Sequence, residues 1–125
     1  MTQGTKYTSA EVQSGAPSLS ATSAKYQFID PGGSARNCDL PDLRSQTTDS
    51  NSEATGTYGT DRYADQHQGY FVISNTADGA EVITIRGWNG SSTTGTICTP
   101  TQNETAIVTW TGATSGWIGI AGSDA

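Results

Sequence analysis

The sequence predicts an all-β fold, either an antiparallel β-sandwich or a β-barrel-like single domain, with an extended N-terminal arm. Between residues 68 and 120, apolar and polar residues alternate and no helical period is present. Four segments in this stretch are rich in β-branched and aromatic residues, at 68–75, 80–88, 94–99 and 105–111. Asp78-Gly79, Asn89-Gly90 and Pro100 separate them. Such residues are typical of turns between antiparallel strands.

The alternation also predicts which side chains share a face of each strand. In segment 68–75, Phe71 and Ile73 share one face and Tyr70 and Val72 share the other. Apolar residues on both faces indicate a central strand of a sandwich. We expect Trp117, in the last apolar segment (116–120), to close one end of the core. The other residues predicted to share faces are Ile83 with Ile85, and Ala106 with Val108 and Trp110.

An earlier pair of strands is predicted at residues 25–29 and 34–40. Between them stands Asp30-Pro31-Gly32-Gly33, a strong turn sequence, and Pro41 ends the second segment. The pattern predicts a short, tight β-hairpin. The Gly-Gly pair is not a phosphate-binding loop, because neither the lysine nor the following helix of such a loop is present.

Two regions lack a sustained period. Residues 1–23 are mostly Thr, Ser, Gln, Gly and Ala, so we predict an extended arm followed by a β-domain at 24–125. In the arm, Tyr7, Val12 and Leu19 are isolated apolar residues suited to contacts with another protein. Residues 42–66 have little to bury and predict a long loop within the domain.

Composition excludes several classes of function. The formal net charge is −6, and the few lysines and arginines are scattered, so the chain is not predicted to bind nucleic acid. No apolar run is long enough to span a bilayer, and no membrane partner is expected. We find no secretory signal and therefore expect a protein made in the cytoplasm. Only 33% of residues are hydrophobic, which predicts a modest core and a benefit from oligomerisation or a partner.

The two cysteines, Cys38 and Cys98, occupy predicted inward strand positions. A bridge between them would close a loop of about 60 residues and stabilise the fold by roughly 4 kcal/mol. Because we expect a cytoplasmic protein, we favour two buried thiols over a disulfide.

No constellation for catalysis or metal binding is apparent. His67 is the only histidine, and the cysteines lie on distant segments, so neither a metal site nor a nucleophile–base pair is predicted. We therefore expect a non-enzymatic protein without a cofactor. Trp88 stands beside the Asn89-Gly90 turn and is expected to be partly exposed, where it would seal a subunit contact or stack on a sugar together with Tyr58 and Tyr63.

An ordered set of motifs goes beyond generic β-sequence. It consists of residues 28–41 (FIDPGGSARNCDLP), 69–75 (GYFVISN), 82–85 (VITI), 105–110 (TAIVTW) and Gly116-Trp117. Over residues 26–118 the chain resembles small β-modules of tailed-bacteriophage virions, found in head decoration (cement) proteins and tail-fibre segments. Cys38 and Cys98 stand where small aliphatic residues are expected, and residues 42–66 have no counterpart.

The resemblance implies a structural virion protein. Decoration proteins of this kind commonly form homotrimers and bind across junctions of the major capsid protein on the outer surface of the capsid, with an arm in contact with the shell. It therefore implies that Tyr7, Val12 and Leu19 contact the capsid, and that the chain is synthesised in the bacterial host cytoplasm. The alternative is a tail-fibre or receptor-binding module that recognises host surface glycans through Trp88, Tyr58 and Tyr63.

Overall fold

The structure, a computed structural model, describes residues 10–44 and 69–123, and within these two ranges the chain forms eight strands. They are β1 Ala10–Ser14, β2 Tyr26–Asp30, β3 Arg36–Asp39, β4 Tyr70–Asn75, β5 Ile83–Gly87, β6 Gly95–Cys98, β7 Thr105–Trp110 and β8 Trp117–Gly122. The prediction of an all-β chain is confirmed. The strands β4 to β8 lie within two to three residues of the segments that the alternation predicted.

The strands form two mixed sheets, so the prediction of a purely antiparallel fold is wrong. One sheet has five strands in the order β1-β2-β4-β7-β8, and the other has three in the order β3-β5-β6. The pairs β1–β2, β2–β4 and β3–β5 are parallel, whereas β4–β7, β7–β8 and β5–β6 are antiparallel. The chain crosses between sheets after β2, β3, β4 and β6, which lets it return to a sheet in the same direction.

The predicted hairpin at residues 25–40 is also wrong, because its two strands belong to different sheets. The turn between them exists: the Gly32 N–H donates to Asp30 Oδ1 at 2.9 Å, and Gly32 has a φ of 88°. This left-handed conformation favours glycine. The turn carries the chain from β2 to the other sheet instead of folding it back on itself.

One core cluster contains buried residues from both sheets. Phe71, Ile73, Ala106 and Val108 come from the five-stranded sheet, while Ile83 and Ile85 come from the three-stranded sheet. The residues predicted to share a face do so and are buried together, and β4 is the central strand of its sheet, as predicted. The prediction for Trp117 is confirmed as well: its ring is 1% exposed and its centroid lies 5.6 Å from that of Trp110.

The described part of the predicted arm belongs to the β-domain. β1 pairs in parallel with β2 over five residues, from Ala10 opposite Tyr26 to Ser14 opposite Asp30. Farther along, the Leu19 N–H donates to the Asp39 carbonyl at 2.8 Å. The sequence of β1 alone gives little sign of a strand. Its strand conformation depends on the pairing with β2. Residues 1–9, and most of the predicted loop at 42–66, lie outside the described residues.

Cys38 and Cys98 are both free thiols, and the register explains why they do not pair. Each stands opposite Ile85, one on either side, so the two cysteines are two strands apart. Two strand spacings amount to about 9.6 Å, whereas a disulfide requires Cα atoms within about 7 Å. Burial raises the pKa of Cys38 to about 12 and that of Cys98 to about 11, which keeps both protonated at neutral pH.

Candidate functional site

The outward face of the five-stranded sheet is apolar across its whole width. Strand pairing aligns one outward residue from each strand into a single row. That row is Ala10, Tyr26, Val72, Ile107 and Ile120. Parallel rows add Val12 and Phe28 on one side and Tyr70 and Ile118 on the other. We call this surface the apolar face.

The exposure of these side chains distinguishes the face from ordinary surface. Ile120 is 74% exposed, Ile118 57% and Ile107 49%. Every large exposed hydrophobic side chain in residues 10–44 and 69–123 lies on this face, and the remaining ones are Val12, Tyr26, Phe28 and Tyr70. Five strands about 4.8 Å apart and about 17 Å long give the whole face a plan area of roughly 400 Å². Ser74 and Thr105, which share a 2.8 Å hydrogen bond, form a polar part of this face, and the exposed hydrophobic side chains around them are of the kind that marks a binding surface.

The outward face of the three-stranded sheet has a different chemistry. Asn37, Asp39, Thr84, Arg86 and Thr96 occupy its outward positions. Arg86 and Asp39 form a two-pronged ion pair, with Nε–Oδ1 at 2.7 Å and a second nitrogen–oxygen contact at 3.0 Å. The hydrogen bond that Arg86 donates to Asp39 raises the pKa of Arg86 above its usual range. This face is polar, and its charged side chains Arg86 and Asp39 pair with each other, so it offers no surface for an apolar partner.

A buried lysine lies at the margin of the apolar face. Lys25 is 6% exposed, and its Nζ lies 5.1 Å from the ring centroid of Tyr70 and 5.2 Å from that of Phe71. These are cation–π distances. Burial lowers the pKa of Lys25 to about 8, because the protein interior solvates an ammonium group poorly. The lysine holds a charge where the apolar surface meets the core.

Trp88 is partly exposed, as predicted, but one side of its ring is already covered. The Arg44 guanidinium carbon lies 3.7 Å from the ring centroid, and the indole N–H donates to the Ala113 carbonyl at 2.7 Å. Asp42 holds Arg44 through a 2.7 Å ion pair, and the hydrogen bond from Arg44 lowers the pKa of Asp42. A sugar stacking on this side of Trp88 would have to displace Arg44.

The predicted site residues are only partly brought together. Val12 is 84% exposed on the apolar face, whereas Leu19 is 5% exposed and belongs to the core, so its side chain is not available to a partner. Tyr7, Tyr58 and Tyr63 lie outside the described residues, and their assignments stay predictions.

Sequence reasoning missed the apolar face itself, although a signal was present. In β7 and β8, Ile107, Ile118 and Ile120 stand at positions that alternate with the core-facing ones. A single outward isoleucine is common on protein surfaces, and only the strand order places the three beside Tyr26 and Phe28. The parallel β1–β2–β4 pairing, which sequence did not predict, brings those aromatic residues into the surface.

Among the residues that the structure describes, no group of three His, Cys, Asp or Glu side chains is arranged to hold a metal ion. His67 lies outside them. Within the same part of the chain, no helix has the length and apolarity required to cross a membrane.

Comparisons with protein-family models, with curated protein sequences and with solved structures find no match for this chain.

Proposed function

We propose that this chain is a non-enzymatic structural module that docks on another protein through the apolar face, and that it serves as a decoration protein of a tailed-bacteriophage capsid. The observation that supports docking is the confinement of all large exposed hydrophobic side chains of the described residues to one sheet face. The capsid as partner rests on the resemblance of residues 26–118 to virion β-modules.

The energetics favour a role in joining subunits. Burial of the exposed isoleucine and aromatic side chains of the apolar face would contribute about 25 cal/mol for each Å² of apolar surface removed from water, before the cost of association. A capsid presents many equivalent sites, so opening a seam requires breaking the sum of these contacts. A β-sandwich suits this task, because its core is independent of the docking surface. We infer that the two sheets here form such a sandwich.

In this proposal the major capsid protein is the partner and the capsid outer surface is the location. Val12, at the edge of the apolar face, contributes to the contact, and Tyr7 extends it. The resemblance further implies a homotrimer. The partner has to present a complementary apolar surface across a subunit junction.

The test is cosedimentation of the full chain with capsids that lack it. Ile107→Lys introduces a charge at the centre of the apolar face, and we expect at least a tenfold loss of binding, because a buried unpaired ammonium is costly. Thr96→Lys is the matched control: it adds the same charge at an exposed outward position of the three-stranded sheet. We expect Thr96→Lys to bind as the unmodified chain does.

Equal binding by the two variants would remove the apolar face from the proposal. An unmodified chain that fails to bind capsids but binds bacterial surface glycans would instead support the receptor-binding alternative. In that case, Trp88→Ala should abolish glycan binding. The position of Arg44 over Trp88 argues against that alternative.

A further inference from the structure

Among the described residues, no strand pairs with the outer edge of β8 beyond Trp117, and this edge has no charge, proline or bulge to protect it. The segment 116–122 contains no charged residue and no proline, and β8 pairs with β7 over six consecutive residues without a bulge. Natural proteins shield edge strands with charges, prolines or bulges, because an open edge pairs readily with another strand. At the opposite edge of the sheet, β1 carries Glu11, whose carboxylate accepts a hydrogen bond from Gln27.

The register identifies which backbone groups of β8 face outward. The Trp117 N–H donates to the Trp88 carbonyl and therefore points away from β7. Backbone groups alternate in direction along a strand. The N–H and C=O groups of Gly119 and Ala121 consequently point to the free edge, while those of Ile118 and Ile120 bond to β7.

We propose that the β8 edge pairs with β8 of a second copy of this chain, as antiparallel strands related by a two-fold axis at Ile120. In this register Gly119 of each copy stands opposite Ala121 of the other, which satisfies the four outward groups that these two residues provide on each strand. Ile120 packs against its own symmetry mate. Ile118 stands opposite Gly122 of the second copy, where the glycine leaves room for it.

Two observations favour a second copy over an unrelated strand. The strand is complementary to itself about Ile120, since the large Ile118 meets the glycine at 122 in both directions, as a two-fold interface requires. The chain has a formal net charge of −6, so two copies repel each other, and the uncharged segment 116–122 allows approach without opposing like charges. The two-fold axis is perpendicular to the sheet, so the apolar faces of both copies lie on the same side and form one larger surface.

The inward side of β8 is compatible with this pairing. A side chain at Gly119 would meet Val108 Cγ1 at 2.7 Å and Ile97 Cγ2 at 3.2 Å, so the strand lies close against the core and β6. Ala121 and Gly122 are exposed, and a side chain at Gly122 would meet nothing within 4 Å. The contact does not depend on the proposed capsid function.

Disulfide trapping tests the register. In the full chain, Ile120→Cys places two cysteines at a directly opposed pair with Cα atoms about 4.5 Å apart, within reach of a disulfide. Ile118→Cys is the matched control on the same strand and face, but its two copies would be four residues out of register, about 13 Å apart. Under mild oxidation we expect a disulfide-linked dimer for Ile120→Cys only, with the unmodified chain as the control for Cys38 and Cys98.

Sedimentation equilibrium tests the contact without a covalent link. We expect a species of twice the 13.0 kDa mass of one chain, in place of the homotrimer that the resemblance implies. Ala121→Pro removes an outward N–H and leaves the β7 ladder intact, so it should shift the equilibrium to monomer, whereas Val12→Lys at the opposite edge should not. A monomeric unmodified chain, equal trapping at positions 118 and 120, or a trimer in which Ile120→Cys is not trapped would each overturn the proposal.

Discussion

The outward faces of the two sheets differ in chemistry although both cover the same core. The three-stranded sheet presents Thr84, Thr96 and the Arg86–Asp39 ion pair. The five-stranded sheet presents every large exposed hydrophobic side chain of the described residues, most of them isoleucine or aromatic. The difference shows that this chain, although poor in hydrophobic residues, keeps part of them out of its core. Such residues are better explained by contact with a partner than by stability.

The largest expected effect is on the core that both faces share. Trp117 packs on Phe71 and Trp110, and its indole N–H donates to the Pro41 carbonyl at 2.9 Å. Trp117→Ala should lower the free energy of unfolding by about 3–5 kcal/mol, because it leaves a cavity. Chemical denaturation measures this. A loss below about 1 kcal/mol would mean that the two sheets do not depend on this residue.

The next prediction compares neighbours on one strand. Val108 is fully buried and Ile107 is about half exposed on the apolar face. Val108→Lys should prevent stable folding, because it buries an unpaired charge. Ile107→Lys should leave the melting temperature close to that of the unmodified chain while it weakens partner binding. Thermal unfolding followed by circular dichroism distinguishes them; similar unfolding by both variants would contradict the assignment of faces.

The pH dependence of the free energy of unfolding tests whether Lys25 is buried at the margin of the apolar face. The pKa of Lys25 is about 8 in the folded chain, against 10.5 for a lysine in water, so the unfolded chain binds more protons between these values. The free energy of unfolding should therefore rise with pH above about 8, by about 1 kcal/mol up to pH 9. Above about pH 9 the buried thiols Cys38 and Cys98 act in the opposite direction, because only the unfolded thiols ionise.

Lys25→Met is the control for this rise. It should remove the increase between about pH 8 and 9 and leave the loss at higher pH unchanged. Denaturation curves measured across this range for both proteins provide the comparison. An unaltered pH profile in the variant would show that Lys25 is not buried as the fold has it.

The smallest effect is expected on the polar face. Asp39 and Arg86 have side chains that are 39% and 30% exposed, so their ion pair is screened by solvent. Asp39→Asn should change the melting temperature only slightly, and less at high salt than at low salt. Partner binding should be unaffected. Binding lost in Asp39→Asn but kept in Ile107→Lys would reverse the roles of the two faces.

Much of the fold could be predicted from local pattern, because inward side chains recur with the two-residue period of a strand. The alternation located β4 to β8, grouped Phe71 with Ile73 and Val108 with Trp110 on shared faces, and placed Trp117 at one end of the core. It could not give the sheet order. The turn at Asp30–Gly33 has the sequence of a hairpin turn, yet it carries the chain from one sheet to the other. Which of these occurs depends on the strands that pair with β2 and β3, and most of those strands are distant in the sequence.

The candidate site was less accessible to sequence reasoning for the same physical reason. Val12 was singled out as an isolated apolar residue and lies on the apolar face. Leu19 was singled out on the same grounds and is buried by packing that no local pattern encodes. Ile118 and Ile120 become a surface feature only once β8 is known to be an edge strand.

Hydroxyl-radical footprinting of the chain, free and bound to capsids, tests the docking claim most directly. We expect oxidation of Tyr26, Phe28 and Ile107 to fall strongly on binding, while exposed residues of the three-stranded sheet are modified equally in both states. Protection of the three-stranded sheet, with Tyr26, Phe28 and Ile107 still modified in the complex, would contradict it.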